Sequence, residues 1–168
     1  EGIGMGDEDV RMVELAAPLH DLGKIAIPDA ILLKPGPLTA IETVVMRRHP
    51  EIGYELLSDS ANRFILTSAL IALRHHERFD GSGYPDGLAG DAIPIYARIV
   101  AVADVLDALL STRPYKEAWD LGRALKYLHE QRGLHLDPAC VDALLRGEQR
   151  VVEICVRFAK AQARPDTA

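Results

Sequence analysis

The chain has 168 residues, 48% of them hydrophobic and 26% charged, which suits one globular domain with its own core. Its net charge of −6 argues against a long nucleic acid as a partner, because proteins that bind nucleic acid usually present a basic face. No run of about 18 apolar residues is present, so we expect no membrane partner and a cytoplasmic location.

The first predicted helix begins at the acidic run 7–9, whose negative charge lies near the positive end of the helix dipole. It should continue to about Leu22 and stop at Gly23, a typical residue after a helix end. Pro18 either bends this helix or begins a new turn. The segment 27–37 contains prolines and a glycine and is expected to be a loop with at most a short helix.

The second predicted helix begins at Thr39, with Glu42 at the spacing of a capping box. It continues past His49-Pro50 to about Leu57, and the proline indicates either a kink or two abutting helices. A strongly apolar third helix is expected from 62 to 76.

A glycine-rich segment from 78 to 93 predicts a long loop, and loops of this length in compact domains are usually functional. The helices predicted after it are a nearly all-apolar, central one over 94–110 and others over 121–129, 138–145 and 151–163. Only 5% of residues are aromatic and no convincing strand pattern occurs. The expected fold is therefore all-α, an irregular bundle of about six to eight helices in one domain over 1–168.

Asp104 is the most unusual residue of the pattern, because it lies in the middle of the most apolar helix. A carboxylate in such surroundings is unfavourable unless it is paired or binds a metal ion. Asp107 lies one turn later on the same face. Taken alone, Asp104 leaves two interpretations open, a contact with a neighbouring helix and a metal ligand.

Further candidate ligands lie at or within the earlier predicted helices: the His-Asp pair 20–21, His49 and the His-His pair 75–76. Neighbouring helical residues point about 100° apart, so each pair can reach two metal ions. A lone histidine is usually a surface or core residue, but these candidates on three helices, together with Asp104 on a fourth, predict a metal centre. Nitrogen and oxygen ligands without a thiolate suit iron, manganese, zinc or cobalt, and the two cysteines are expected to be free.

Three cations follow the candidate ligands along the chain. Lys24 comes one turn after 20–21 and is either a phosphate ligand or a solvated lysine. Arg113 and Lys116 follow the helix of Asp104, and arginine suits bidentate contact with phosphate.

Two motifs now resemble a known family. The sequence His-Asp-Leu-Gly-Lys at 20–24 resembles the HDxGK signature of the HD superfamily of metal-dependent phosphohydrolases. The segment 75–85 is similar to the HHExxDGxGYP motif of its HD-GYP subfamily. Further matches follow in the family's order across a motif-bearing core of 10–145, at 27–29, 34–36, 49–53, 101–104 and 113–116.

The resemblance implies roles for individual residues. Those that match the family's metal ligands are His20, Asp21, His49, His75, His76 and Asp104, with Asp21 as the bridging carboxylate. Those that match its phosphate contacts are Lys24, Arg113 and Lys116, and those that match its signature loop, which shapes the substrate edge, are Gly83, Tyr84 and Pro85.

The activity implied is hydrolysis of cyclic di-GMP to pGpG, GMP or both, as the output of a bacterial signalling protein. The implied cofactors are two divalent metal ions, iron or manganese first, with zinc, nickel and cobalt as alternatives. The family usually supplies a further Glu and His from an upstream helix, which is not found before 20–21, so a third ion is not expected. In such sites a water activated by metal ions attacks phosphorus, and no side-chain nucleophile is needed.

The partners implied are cyclic di-GMP, GGDEF domains and a fused receiver or sensor domain, and a homodimer is left open. Two alternatives also stay open at this point. One is a module that binds cyclic di-GMP or a GGDEF domain but has lost catalysis. The other is an HD phosphohydrolase for another cyclic dinucleotide such as cyclic GMP-AMP.

Overall fold

The computed structural model describes residues 2–112 and 117–162, with side chains up to residue 157, and the regular elements there are helical. The helices are α1 Asp7–Ala16, α2 Asp29–Leu32, α3 Ala40–Met46, α4 His49–Ser58, α5 Arg63–Arg74, α6 Ile95–Leu110, α7 Leu121–Glu130, α8 Pro138–Arg146 and α9 Glu148–Gln162. Extended pairing in the described part of the chain is limited to isolated bridges. The predicted all-α class is therefore confirmed.

The prediction that the first helix runs to about Leu22 is wrong, because α1 ends at Ala16. Pro18 follows at the first turn of a 3₁₀ helix over Ala17–Leu19, where its missing N–H is tolerated. A second 3₁₀ helix covers Leu22–Ala26. The pair 20–21 thus lies at the junction of two tight turns, not on an α-helix.

The predicted start of the next element is confirmed. Thr39 and Glu42 form a capping box, in which the Glu42 amide donates to Thr39 Oγ1 at 3.3 Å and the Thr39 amide donates to Glu42 Oε2 at 2.7 Å. Of the two alternatives at His49-Pro50, the structure has two abutting helices, with Pro50 in the first turn of α4.

The core is organised around α6, whose two faces pack on different helices. On one side its buried residues meet α7 and α8, in a cluster that includes Leu106, Leu109 and Leu128. On the other side Val100 packs with Ile71 of α5 and residues of α1. A third buried cluster lies between α4 and α5. Helix α6 is therefore packed against other helices on both sides. This packing fixes the position of Asp104 in the bundle.

Among the described residues, no helix is both long and apolar enough to cross a membrane.

Candidate metal centre

Three histidines are held in one orientation by the local backbone. In each, the Nδ1–H group donates to a carbonyl oxygen three residues earlier, and because a carbonyl is only an acceptor, the proton must be on Nδ1. The pairs are His20 with Ala17 at 2.8 Å, His49 with Met46 at 2.8 Å and His75 with Ala72 at 2.9 Å. In the neutral rings the Nε2 lone pairs are left free, the arrangement that second-shell bonds impose on metal-binding histidines.

These free nitrogens converge on one oxygen of Asp21. The Nε2 atom of His49 lies 3.3 Å from Asp21 Oδ1, and that of His75 lies 3.7 Å from it. The two Nε2 atoms are themselves 3.4 Å apart. His76 completes a group, here called the His–Asp cluster, whose ligand atoms lie within 4.8 Å of one another: Asp21, His49, His75 and His76.

The other oxygen of Asp21 faces a second set of groups. Its Oδ2 atom lies 3.4 Å from His20 Nε2 and accepts a hydrogen bond of 2.5 Å from Lys24 Nζ. His20 Nε2 in turn lies 3.8 Å from Asp104 Oδ1. The carboxylate of Asp21 therefore stands between two groups of metal-type ligands. Asp104 is less buried than expected, with 31% of its side chain exposed.

The chemistry of this donor set fits a divalent cation. Asp21 Oδ1 is buried, yet no described group donates a hydrogen bond to it. It faces imidazole nitrogens whose lone pairs also point inward, an arrangement that is repulsive unless a cation lies between them. Because buried polar atoms are nearly always satisfied, an orphan carboxylate oxygen surrounded by lone pairs indicates a missing cation. The His–Asp cluster can thus hold a divalent metal ion.

Electrostatics keep Asp21 ionised. Burial would raise its pKa, but the contacts with His20 and with the Lys24 ammonium outweigh burial and hold the pKa of this carboxyl well below its usual range. For His20, burial lowers the pKa, but the contact with Asp21 more than offsets this and the pKa is raised. In the metal-free protein, a proton on His20 therefore competes with a metal ion for the same nitrogen.

His75 and His76 show the opposite behaviour, which predicts a pH dependence. Burial and the neighbouring histidines lower the pKa of His75 from 6.5 to about 3 and that of His76 from 6.5 to about 2. Below pH 6.5 these rings bind protons in the unfolded chain but not in the folded protein, so their contribution to stability is present above that pH and is lost as the pH falls. Metal-free protein should lose about 2 kcal/mol of unfolding free energy between pH 7 and pH 5, after a partial offset from His20.

Urea unfolding with a chelator at pH 7, 6 and 5 measures this dependence. A His129→Gln variant, which changes an exposed histidine of α7, should keep this dependence, and His76→Gln should remove most of it. A stability that is flat or rises toward pH 5 would contradict the assignment of neutral rings.

A glutamate that the sequence reasoning did not single out anchors the segment after the signature loop (residues 81–85). Glu77 has a fully buried side chain and accepts from the amides of Asp86 and Leu88, each at 3.0 Å. Arg74 Nη1 donates to Glu77 at 3.2 Å and also pairs with Asp86. The sequence signal for this role was its place as the glutamate of the motif at 75–85, directly after the histidine pair.

The signature loop packs against Glu77 and against His76, a candidate metal ligand. A Cβ added to Gly83 would lie 2.6 Å from Glu77 Cα and 2.3 Å from the Arg78 nitrogen, so only glycine fits there. The Tyr84 ring stacks on His76, with centroids 4.9 Å apart and an interplanar angle of 24°. The loop thus forms one wall beside the His–Asp cluster.

Replacing Glu77 by Gln is expected to loosen this wall. An amide NH₂ in place of one oxygen would face backbone donors in a fully buried position, which should cost about 1–3 kcal/mol of unfolding free energy. Urea denaturation measures the loss, and amide hydrogen exchange should show faster exchange at Asp86 and Leu88. The matched control is Glu55→Gln on the exposed face of α4. Equal stability of the two variants would show that Glu77 does not hold the loop.

The remaining predicted site residues are placed as follows. Pro85 lies in the loop next to Tyr84. Arg113 and Lys116 lie outside the described residues. Asp107 is exposed. Both cysteines are free, as predicted.

Comparison with known proteins matches residues 2–140 to the model of the HD domain family. The cyclic di-GMP phosphodiesterase response regulator RpfG of Xanthomonas campestris is 68% identical over 165 residues, which are 98% of this chain and 44% of that protein. The 3′3′-cGAMP-specific phosphodiesterase 2 of Vibrio cholerae is 47% identical over 142 residues, 84% of this chain and 27% of that protein.

A solved structure shares the fold. The crystal structure of the V. cholerae cyclic GMP-AMP-specific phosphodiesterase V-cGAP3 matches 97% of this chain and 42% of its own with a TM-score of 0.62 and 16% identity. The chain spans less than half the length of each of these three proteins.

Proposed function

The chain belongs to the HD domain family, and from this premise we propose that it is the hydrolytic part of a metal-dependent cyclic di-GMP phosphodiesterase. Residues 1–168 would form a single HD-GYP domain. The relative RpfG, named a cyclic di-GMP phosphodiesterase, supports this substrate through its 68% identity. The products would be pGpG, GMP or both.

The observation that carries the proposal is the convergence of histidine nitrogens on both oxygens of Asp21. The His–Asp cluster would hold one divalent ion, and His20 with Asp104 would hold a second, with Asp21 shared between them. Bound divalent ions supply Lewis-acid chemistry, in that they activate water and neutralise charge on phosphoryl oxygens. We propose iron or manganese, with zinc, nickel and cobalt as alternatives.

The chain's own residues would bind and orient the substrate. Lys24 brings a cation to within 2.5 Å of Asp21, where it can offset charge on a phosphoryl oxygen while it holds the carboxylate in place. The Tyr84 ring stacks on His76 beside the cluster, and Gly83, Tyr84 and Pro85 would together shape the substrate edge. Arg113 and Lys116 are proposed as further phosphate contacts from the segment after α6.

We propose the cellular role and the protein partners from the same family membership and the similarity to RpfG. The protein would act in the cytoplasm as the output of a receiver or sensor domain, and RpfG is itself named a response regulator. The signature loop would also contact GGDEF domains, and a homodimer remains to be tested.

The decisive experiment measures turnover of cyclic di-GMP by purified protein loaded anaerobically with Fe(II) or Mn(II), with a metal count on each sample. We expect metal-dependent pGpG or GMP, lost on chelation and restored by metal. Cyclic GMP-AMP is assayed in parallel, because one relative at 47% identity is named for that substrate.

Either of two results would contradict the proposal and indicate a different function. Turnover of cyclic GMP-AMP alone would assign the other cyclic dinucleotide. Metal-loaded protein that binds cyclic di-GMP or a GGDEF domain but turns over neither dinucleotide would make it a binding module.

A further inference from the structure

A cation that no family motif accounts for lies at the edge of the candidate site. Arg47 follows α3, is exposed, and places its guanidinium carbon 4.9 Å from the centroid of the Tyr84 ring. It forms no ion pair with any carboxylate in the described part of the chain. Its neighbour Arg48 is also exposed but makes no such ring contact.

Arg47 is connected to the metal centre through one aromatic ring. Tyr84 stacks on His76 at a centroid distance of 4.9 Å, so the guanidinium lies at most two such separations from a residue of the His–Asp cluster. Arg47 and His76 thus both contact the Tyr84 ring, and Arg47 is not itself a member of the His–Asp cluster. A cation at this place can meet a part of the substrate that lies beside the metal centre, not in it.

The contact with Tyr84 leaves the hydrogen-bonding capacity of Arg47 available. A guanidinium over an aromatic ring is attracted through its charge, and no side-chain hydrogen bond in the described part of the chain uses the N–H donors of Arg47. Those donors match the two free oxygens of a phosphodiester, which guanidinium binds in bidentate fashion. Since arginine is always charged, its ligand is expected to be an anion.

We propose that Arg47 binds the second phosphodiester of the cyclic dinucleotide, the one that is not cut. The inference rests on the proposed function, because a cyclic dinucleotide carries two phosphodiesters in one ring. When one of them lies at the metal centre, the other is held to the side, and Arg47 is a cation placed there, beside the Tyr84 wall. Arg47 would therefore set affinity for a cyclic dinucleotide over a simple phosphodiester.

The test compares two substrates, cyclic di-GMP and bis(p-nitrophenyl) phosphate, which has one phosphodiester and no second. Arg47→Gln should raise KM for cyclic di-GMP by about tenfold or more, as expected for loss of a charge-assisted hydrogen bond, with kcat within about twofold. Its turnover of bis(p-nitrophenyl) phosphate should be unchanged. Arg47→Lys should recover part of the KM, and Arg48→Gln, the same charge change one residue on, should leave both substrates unaffected.

The outcomes are distinct. Equal KM values for Arg47→Gln and Arg48→Gln on cyclic di-GMP would overturn the role of Arg47 and leave the phosphodiesterase standing. Loss of bis(p-nitrophenyl) phosphate turnover in Arg47→Gln would also overturn it, because Arg47 would then act on the metal centre. If the unmodified protein cleaves bis(p-nitrophenyl) phosphate but no cyclic dinucleotide, the proposed function fails, and the second-phosphodiester role fails with it.

Discussion

Replacing Asp21 by Asn is expected to lower metal-dependent turnover by more than about 100-fold, since loss of a group that only supports a metal ligand already costs about 10–100-fold. The physical reason is the position of the carboxylate. One oxygen lies 3.3 Å from His49 Nε2 and the other lies 3.4 Å from His20 Nε2, so both proposed ions depend on the same side chain. An amide has no negative charge and offers one donor group to nitrogens that need a cation.

Metal content and activity are measured on the same samples. The Asp21→Asn variant should retain clearly less Mn(II) after desalting than the unmodified protein, and excess metal should not restore full turnover. Asp107→Asn is the matched control, because it removes an exposed carboxylate from α6 one turn beyond Asp104. Normal metal content and turnover in the Asp21 variant would remove the basis of the proposed bridging role.

The sequence was sufficient to predict most of the helices, because their signals are local. The capping box at Thr39 and Glu42 needs only residues three apart, and the helix break near His49-Pro50 needs only the ring of proline. It also singled out Asp21, His49, His75 and His76, whose ligand atoms the structure brings together, because a set of histidines and a carboxylate at successive helix ends is typical of a metal site.

Contacts between segments that are distant in the chain could not be predicted from the sequence in the same way. The 3₁₀ turns around 20–21 arise because Pro18 ends α1 early, whereas the acidic start and apolar face were equally compatible with a longer helix. Glu77 satisfies amides nine and eleven residues later, and Arg47 meets Tyr84 from a distant part of the chain. Such pairings depend on how loops return to the bundle, and no periodicity encodes them.

Gly23 shows how one of these distant contacts controls the candidate site. A Cβ added at this residue would lie 1.9 Å from the His49 carbonyl oxygen and 2.5 Å from the Gly53 nitrogen. Both are backbone atoms of α4, which cannot move aside as a flexible side chain can. Glycine is therefore required for close approach here, not for a helix stop as the sequence suggested.

Gly23→Ala is expected to lower the unfolding free energy by about 3 kcal/mol, the upper part of the range for overpacking a tight contact. The same clash should weaken metal binding, because it pushes the turn that follows Asp21 away from the helix that begins at His49. The gap of 3.3 Å between these two side chains should widen. Urea unfolding and Mn(II) affinity measure the two effects on one variant.

Gly36→Ala is the matched control, because a Cβ there would meet nothing within 4 Å and the substitution should be nearly neutral. A second comparison separates stability from site geometry. If the metal affinity of the Gly23 variant falls even at low temperature and without urea, where the protein is fully folded, the clash acts on the ligands directly. If stability falls but the folded variant binds Mn(II) normally, the packing of Gly23 supports the bundle alone, and the separation of Asp21 from His49 is set by other contacts.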